Sequence, residues 1–314
     1  MTHGAEAIGH DILAEDAAPD ALAAFVFPPN TRTIAVVEGA RVFGLRELLA
    51  EAGAEHLCLF DISQNDGMGD TAPWIFVADP KSDLTQRLLS PAPGPQGFLA
   101  AKATVFLTTD QPLAEVRDHL RRLHRLPPTD DGRQQILRIW APETMHALRP
   151  FLRRRPDLVA AVFGTGIRAI TLPHPTGAAW WRLRPQEAVR EAKRLTLDPP
   201  LVQRLTLAGR AMRALRLGQD AEALIRDRSP TLVPPMDALP LRRRYAYARR
   251  IDAMGIERPE TTAELLAIIY ATGMDITSEP AFHYATRNPM LIPEAKARQL
   301  TMAFHMIARM QQEG

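Results

Sequence analysis

The stretch QQILRIWAPETMHALRPFL, residues Gln134–Leu152, joins a short apolar run to a helical pattern. The run Ile136–Trp140 is interrupted only by Arg138 and follows a turn signal, a pattern typical of a strand buried on both faces. Pro142 suits the first turn of a helix, and Glu143 suits the positive N-terminal end of that helix. An arginine in an apolar strand needs an acidic or carbonyl partner, or a cleft into which it points. The stretch therefore predicts a buried strand that runs into a helix, with Arg138 at the end of the sheet.

The composition is that of a soluble globular protein, with 46% hydrophobic and 24% charged residues among 314. The formal net charge is only +2 and is evenly spread, so no polybasic tail for nucleic acid or anionic lipid is present. Cys58 is the only cysteine, which excludes an intrachain disulfide and favours a reducing compartment. The first twenty residues contain five acidic residues and no lysine or arginine, unlike a signal peptide. We therefore expect a cytoplasmic protein.

Strand-like and helix-like segments alternate through the N-terminal half of the chain, which predicts an α/β lobe with a mixed sheet flanked by helices. After Pro185 the strand-like runs end and helical patterns follow, the first over about Pro185–Leu197. We therefore divide the chain into a flexible N-terminal arm (residues 1–30), an α/β domain (31–184) and an all-helical lobe (185–314). The predicted strands outside the opening stretch are Thr33–Val37, Leu57–Phe60, Trp74–Ala78, Ala103–Thr108, Arg168–Leu172 and Ala179–Leu183.

The motifs of common enzyme classes are missing from the sequence. There is no phosphate-binding loop of the G-x-x-x-x-G-K-[ST] type and no G-x-S-x-G nucleophile elbow. His119 and His124 are five residues apart, so one helical face does not carry both as metal ligands. We therefore expect no catalytic residue, no metal and no cofactor.

Two alternative functions stay open at this stage. An α/β enzyme with a helical cap would use the acids of the Asp61–Asp70 loop together with His174. A nucleic-acid-binding protein would use the segment Arg242–Arg250, in which Tyr245 and Tyr247 are interleaved with arginines.

Methionines are concentrated towards the end of the chain. Met302, Met306 and Met310 recur at helical spacing in the last predicted helix. This helix is either buried within the helical lobe or lines a groove for another chain, because unbranched methionines suit surfaces that accept varied apolar partners.

Several segments, taken in order, resemble the adaptors, also called effector chaperones, of bacterial type VI secretion systems. At the strand Asp131–Pro142 this family usually has an Arg-aromatic-aromatic-Asp-Pro ending, but Ile139 replaces one aromatic residue and Ala141 replaces the aspartate. The acidic partner of Arg138 is therefore not the expected one. The segments that resemble family motifs are Val37–Arg41 (VEGAR), Leu57–Phe60 (LCLF), Ala72–Val77 (APWIFV), Leu113–Leu126, Asp131–Pro142, Val162–Gly164 and Gly255–Phe282.

The resemblance implies a protein that is not an enzyme. It would bind a type VI effector, through the N-terminal segment of that effector, and help to load it onto the VgrG spike. We expect an apolar effector segment to lie in a cleft between the two lobes, with no membrane and no nucleic acid as partner. The candidate contact residues are Arg138 and Trp140 near the sheet end, and Met302 and Met306 in the last helix.

Overall fold

The computed structural model describes the whole chain except residues 1–5, 15–16, 61–67, 93–95, 125–136, 175–178, 192, 196, 229–240, 255–258, 273–279 and 313–314. Contacts between Cα atoms divide the chain into two compact units, Met1–Leu205 (unit 1) and Thr206–Gly314 (unit 2). The division falls within a helix, about twenty residues beyond the predicted boundary at residue 184.

Unit 1 is built on a seven-stranded sheet with the order β1-β7-β6-β5-β2-β4-β3. The strands are β1 (Ile8–Ala14), β2 (Arg32–Glu38), β3 (His56–Cys58), β4 (Pro73–Val77), β5 (Thr104–Thr109), β6 (Ile167–Pro173) and β7 (Ala179–Pro185). Six helices of unit 1 are α1 (Pro19–Val26), α2 (Leu45–Glu51), α3 (Asp83–Leu89), α4 (Leu113–His124), α5 (Pro142–Leu152) and α6 (Pro156–Phe163).

All strand pairs of the described sheet are antiparallel, so the predicted mixed sheet is wrong. The reason lies in how the helical connections cross the sheet. Strands β2 and β3, which α2 connects, run in the same direction, but β4 lies between them. Strands β4 and β5, which α3 connects, also share a direction, and β2 lies between them. The alternation of strands and helices therefore does not show which strands are neighbours in the sheet.

The sheet is buried on both faces. In β2, Ile34 and Val36 belong to one apolar cluster and Ala35 and Val37 to another, because successive side chains point to opposite faces. The first cluster includes side chains of α4, α5 and α6, and the second includes side chains of α1, α2 and α3. The predicted arrangement of helices flanking a buried sheet is confirmed for unit 1.

Residues 1–30 include two ordered elements, which corrects the prediction of a flexible arm. Strand β1 pairs with β7 along its whole length, and Ile8 is fully buried in the core of unit 1. One acidic residue of this segment pairs across the sheet, since Arg184 donates to Asp11 at 2.9 Å. Opposite charges on neighbouring strands stabilise the pairing, so an acidic composition is compatible with a strand here.

The predicted strand Ile136–Trp140 is wrong over its described part. Leu137–Trp140 forms an irregular turn, in which Ala141 donates its backbone N–H to Arg138 O at 2.9 Å. Leu137, Ile139 and Trp140 are nevertheless buried in the core. A short apolar run indicates burial but cannot by itself show strand pairing. The helix after it begins at Pro142 as predicted.

The segment after β7 is irregular, so the predicted helix over Pro185–Leu197 is also wrong. Its described residues run without regular structure to α7 (Pro199–Arg228), where Asp198 accepts a hydrogen bond from Leu201 N at 3.0 Å. Leu195 and Leu201 are buried in the core of unit 1, which explains why the unit extends past the last strand.

Unit 2 is helical in its described part. Beyond α7 its helices are α8 (Leu241–Asp252), α9 (Pro259–Thr272), α10 (Pro280–Arg287) and α11 (Pro293–Gln312). They share an apolar cluster that includes Ile251, Ile269 and the fully buried Tyr270. Across the described helices of both units, none combines the length and the apolar character needed to cross a bilayer.

Two isoleucines of β1 test whether the first strand is part of the folded core. Ile8 is 0% exposed and Ile12 is 60% exposed. We expect Ile8→Ala to lower the free energy of unfolding by about 2–5 kcal/mol, because it removes buried atoms and leaves a cavity. Ile12→Ala, the matched control, should change it by about 0.5 kcal/mol or less. Urea denaturation of the full chain measures both, and equal effects would contradict the docking of β1.

Candidate functional site

A buried ionic network lies at the end of β2. Arg41 is its centre: Nε lies 2.7 Å from Glu38 Oε2, Nη1 donates to Lys102 O at 2.8 Å, and Nη2 pairs with Glu143 Oε1. Arg138 donates through Nη2 to Glu38 Oε1. The network therefore ties the end of β2 to the first turn of α5 and to the turn before it.

The local backbone explains how Glu38 and Arg41 come to face each other. A 3₁₀ turn over Gly39–Arg41 follows β2 directly, which places Glu38 and Arg41 three residues apart on one side. A Cβ atom at Gly39 would lie 2.6 Å from Ala72 O and 2.7 Å from Asp70 O. Only glycine therefore fits where the chain leaves the strand.

Glu38 is the acidic partner that the sequence left undetermined for Arg138. The family pattern has an aspartate at position 141, where this chain has a buried alanine. The side chain of Arg138 is 41% exposed, so its guanidinium lies at the surface while it pairs with the buried Glu38. Of the alternatives that the sequence left open for Arg138, an acidic partner, a carbonyl partner or a cleft, the structure shows an acidic partner, which comes from β2.

Glu143 is buried in the first turn of α5 and stays ionised because of its partners. Burial alone would raise the pKa of Glu143, but the hydrogen bond and charge of Arg41, its own backbone N–H and the charge of Arg138 together lower that pKa. A lowered carboxyl pKa contributes stability that is complete above the pKa of the unfolded chain. This contribution is lost as the pH falls through the lower, folded-state pKa, so acid weakens the network.

Trp140 is a core residue and does not offer its ring to a partner, contrary to the sequence prediction. Its ring is buried and meets Phe60 and His124 edge-on, each with centroids 6.0 Å apart. Its Nε1 has no hydrogen-bond partner among the described residues. The large apolar ring at the end of the 137–140 turn anchors that turn to the core.

Met302 and Met306 lie on the surface of unit 2. They are 60% and 63% exposed, whereas Ala297 and Leu300 of the same helix are fully buried. At 100° per residue, the two methionines occupy the side of α11 opposite to the buried pair. We call this surface the α11 outer face. Met310, the third methionine of the pattern, lies outside the described side chains.

The residues of the two alternative functions are placed as follows. For the enzyme alternative, His174 is part of an aromatic cluster. Asp70 is exposed in the 3₁₀ turn Met68–Asp70, and Asp61 and Asp66 lie outside the described residues. No group of three or more His, Cys, Asp or Glu side chains suited to a metal ion occurs within the described part of the chain.

The arginine-rich segment of the nucleic-acid alternative lies on α8. Tyr247 is buried in the apolar cluster of unit 2, so it does not stack on a base. Arg249 and Arg250 are exposed, and the side chains of Arg242 to Tyr245 lie outside the described set.

A histidine cluster surrounds Trp181 and was not anticipated as a cluster. His146 stacks on the Trp181 ring with centroids 5.0 Å apart, and His174 meets it edge-on at 4.6 Å. The Cζ atom of Arg149 lies 4.4 Å from the same ring, in a cation–π contact. His146 and Arg149 are three residues apart in the opening stretch, but no local pattern indicates that the chain around β6 and β7 brings His174 and Trp181 to them.

Burial, followed by the positive charges of His174, Arg149 and Arg204, lowers the pKa of His146 to about 4. Burial, followed by the charges of Lys102 and Arg149, also lowers the pKa of His174. The imidazole of His146 is therefore neutral in the folded protein at neutral pH, and it packs against Trp181 as a neutral ring.

Substitutions in the buried and in the exposed part of the ionic network should lower the free energy of unfolding by different amounts. Arg41→Met leaves Glu38 and Glu143 buried without their central partner, so we expect the free energy of unfolding to fall by about 3–5 kcal/mol. Arg138→Met removes a half-exposed partner and should cost about 1 kcal/mol or less. Exposed Arg46 provides the control, since Arg46→Met should be close to neutral. Comparable losses for Arg41→Met and Arg46→Met in chemical denaturation would contradict the network.

The pKa of the His146 ring should lie well below the ordinary value of a histidine, at about 4. In the unfolded chain its pKa is about 6.5, so between pH 6.5 and about 4 the unfolded chain binds a proton that the folded chain does not. Stability should therefore fall as the pH drops through this window, and His146→Gln should remove part of that dependence. NMR titration of the ring protons checks the pKa, and a value near 6.5 would refute the burial argument.

Comparison with known proteins adds one finding. Residues 34–155, less than half of the chain, match the family model described as Domain of unknown function (DUF4123). No match was found among curated proteins or among solved structures. The matched segment runs from β2 to the start of α6 and contains all four charged residues of the ionic network.

Proposed function

We propose that this protein is a cytoplasmic adaptor for a type VI secretion effector, and that it helps to load the effector onto the VgrG spike. The observation that carries the proposal is the match of residues 34–155 to a domain associated with such adaptors. The order of motifs along the chain supports the same reading. In this role the protein binds and presents its partner, and it makes or breaks no bond.

The α11 outer face is the surface that we assign to the apolar N-terminal segment of the effector. Met302 and Met306 are exposed one helical turn apart, so they form a short apolar stripe. Burying a methionine side chain fully against a partner contributes about 1.5–3 kcal/mol. Because methionine is unbranched and flexible, such a stripe fits apolar partners of different shape.

Arg138 is the surface residue of unit 1 that we retain from the predicted contacts. Its guanidinium is held by Glu38 but leaves part of its surface in solvent. An arginine in this position provides donors for backbone carbonyls or carboxylates of a bound segment. Trp140 does not contact the partner in this proposal. Its buried ring holds the turn that carries Arg138.

Co-expression with the effector encoded beside this protein tests the proposal. We expect the two proteins to co-purify and the effector to remain soluble only when the adaptor is present. Met302→Glu/Met306→Glu should lower the yield of the complex at least about tenfold, since burial of a carboxylate against an apolar segment is strongly unfavourable. The measurement is the ratio of effector to adaptor after affinity purification.

Met290→Glu is the matched control. Met290 is 87% exposed, lies in the same unit and is outside the α11 helix. It should leave the complex intact. If the effector never co-purifies, and its solubility and delivery are unchanged without this protein, the adaptor role is excluded. If all three methionine positions behave alike, the assignment of the α11 outer face is wrong.

A further inference from the structure

A positively charged groove lies on unit 1, away from the residues discussed above. It has a volume of about 610 Å³ and is lined by α4, by α6 and by the irregular segment that follows β7. Arg121, Arg122, Lys193 and Arg194 line it, and Asp118 is the single acid among the described lining residues. We call it the basic groove. Its size falls in the range of about 300–1,000 Å³ that is usual for ligand sites.

The fold places these charges side by side for a simple reason. Helix α4 turns its apolar stripe, which includes Val116, Leu120 and Leu123, towards the core, so its arginines are directed outwards. Leu195 is buried in the same core and anchors the irregular segment beside α4. Lys193 and Arg194, which precede this anchor, are thereby held at the surface next to Arg122.

Three of the four cations of the basic groove are not neutralised within the described part of the chain. Arg122, Lys193 and Arg194 have no carboxylate within ion-pairing distance there, and all three are exposed. Several other arginines of unit 1 do have an acidic partner, as Arg184 has Asp11. A concave surface with charges of one sign attracts ligands of the opposite sign, because the low-dielectric wall concentrates the field.

We propose that the basic groove binds an acidic peptide segment of a partner protein. The other lining residues include the aliphatic Leu123, Ala161 and Leu195, so the charged side chains of the groove stand on an apolar floor. Bases of single-stranded nucleic acids stack on aromatic side chains, and the one aromatic side chain among the described lining residues, His119, is buried. The assignment does not rest on the proposed adaptor role, since it concerns a different surface and needs no effector.

Fluorescence anisotropy with the full chain tests the assignment. The probe is a fluorescein-labelled peptide that alternates Asp or Glu with Leu, at about 50 mM NaCl, where screening is weak. A peptide with Asn and Gln in place of the acids measures the contribution of charge. An oligothymidylate of equal charge tests nucleic acid as the ligand. We expect the acidic peptide to bind most tightly, and its affinity to fall steeply as salt is added.

Charge reversal in the groove should abolish most of this binding. Arg122→Glu/Lys193→Glu/Arg194→Glu should weaken it at least about tenfold, because three attractive charges become repulsive. The matched control Lys81→Glu/Arg46→Glu/Arg287→Glu reverses one lysine and two arginines at other exposed positions. It changes the net charge equally and should stay within about twofold of the unmodified protein. Circular dichroism and thermal unfolding confirm that both variants are folded.

Three results would overturn the assignment. The first is equal weakening by the groove variant and the control, which would show a general effect of net charge. The second is binding of the oligothymidylate or the neutral peptide as tightly as the acidic peptide. The third is no binding of the acidic peptide at low salt. None of these outcomes depends on whether an effector co-purifies, so they are separate from the test of the adaptor role.

Discussion

Strand β2 contributes side chains to two apolar cores, one on each face of the sheet, and the rest of unit 1 is arranged around this constraint. Its apolar side chains alternate between two clusters, so helices have to cover both faces of the sheet. It also pairs on both edges, with β4 and β5. A strand enclosed on four sides has little freedom to shift its register, since a slip of one residue would exchange its two faces. The charged groups at its end are therefore placed by a rigid element.

The ionic network extends this rigidity from the sheet to the turn before α5. Two buried carboxylates need cations near them, and Arg41 serves both Glu38 and Glu143. Arg138 adds a second cation to Glu38 and leaves part of its own surface in solvent. The irregular turn that carries Arg138 is held by this ion pair on one side and by the buried ring of Trp140 on the other. Glu38, which is far from Arg138 in sequence, and the neighbouring Trp140 thus together fix the position of Arg138 at the surface.

The two units differ in the surfaces that they offer to other molecules. In unit 1 the exposed feature is the basic groove, where Arg122, Lys193 and Arg194 have no carboxylate within ion-pairing distance among the described residues. In unit 2 it is the α11 outer face, where Met302 and Met306 are exposed opposite the buried side of the helix. Both charge complementarity and adaptable apolar contact provide recognition of a partner.

The sequence by itself determined which segments are buried, because periodicity reports burial directly: the β2 run, the apolar stripe of α4 and the start of α5 at Pro142 follow from it. It also determined that Arg138 requires a partner. Only the tertiary structure decided that this partner is Glu38 and that β4 lies between β2 and β3, since contacts between distant segments leave no local pattern. For the same reason it was the structure that brought Lys193 and Arg194 beside α4.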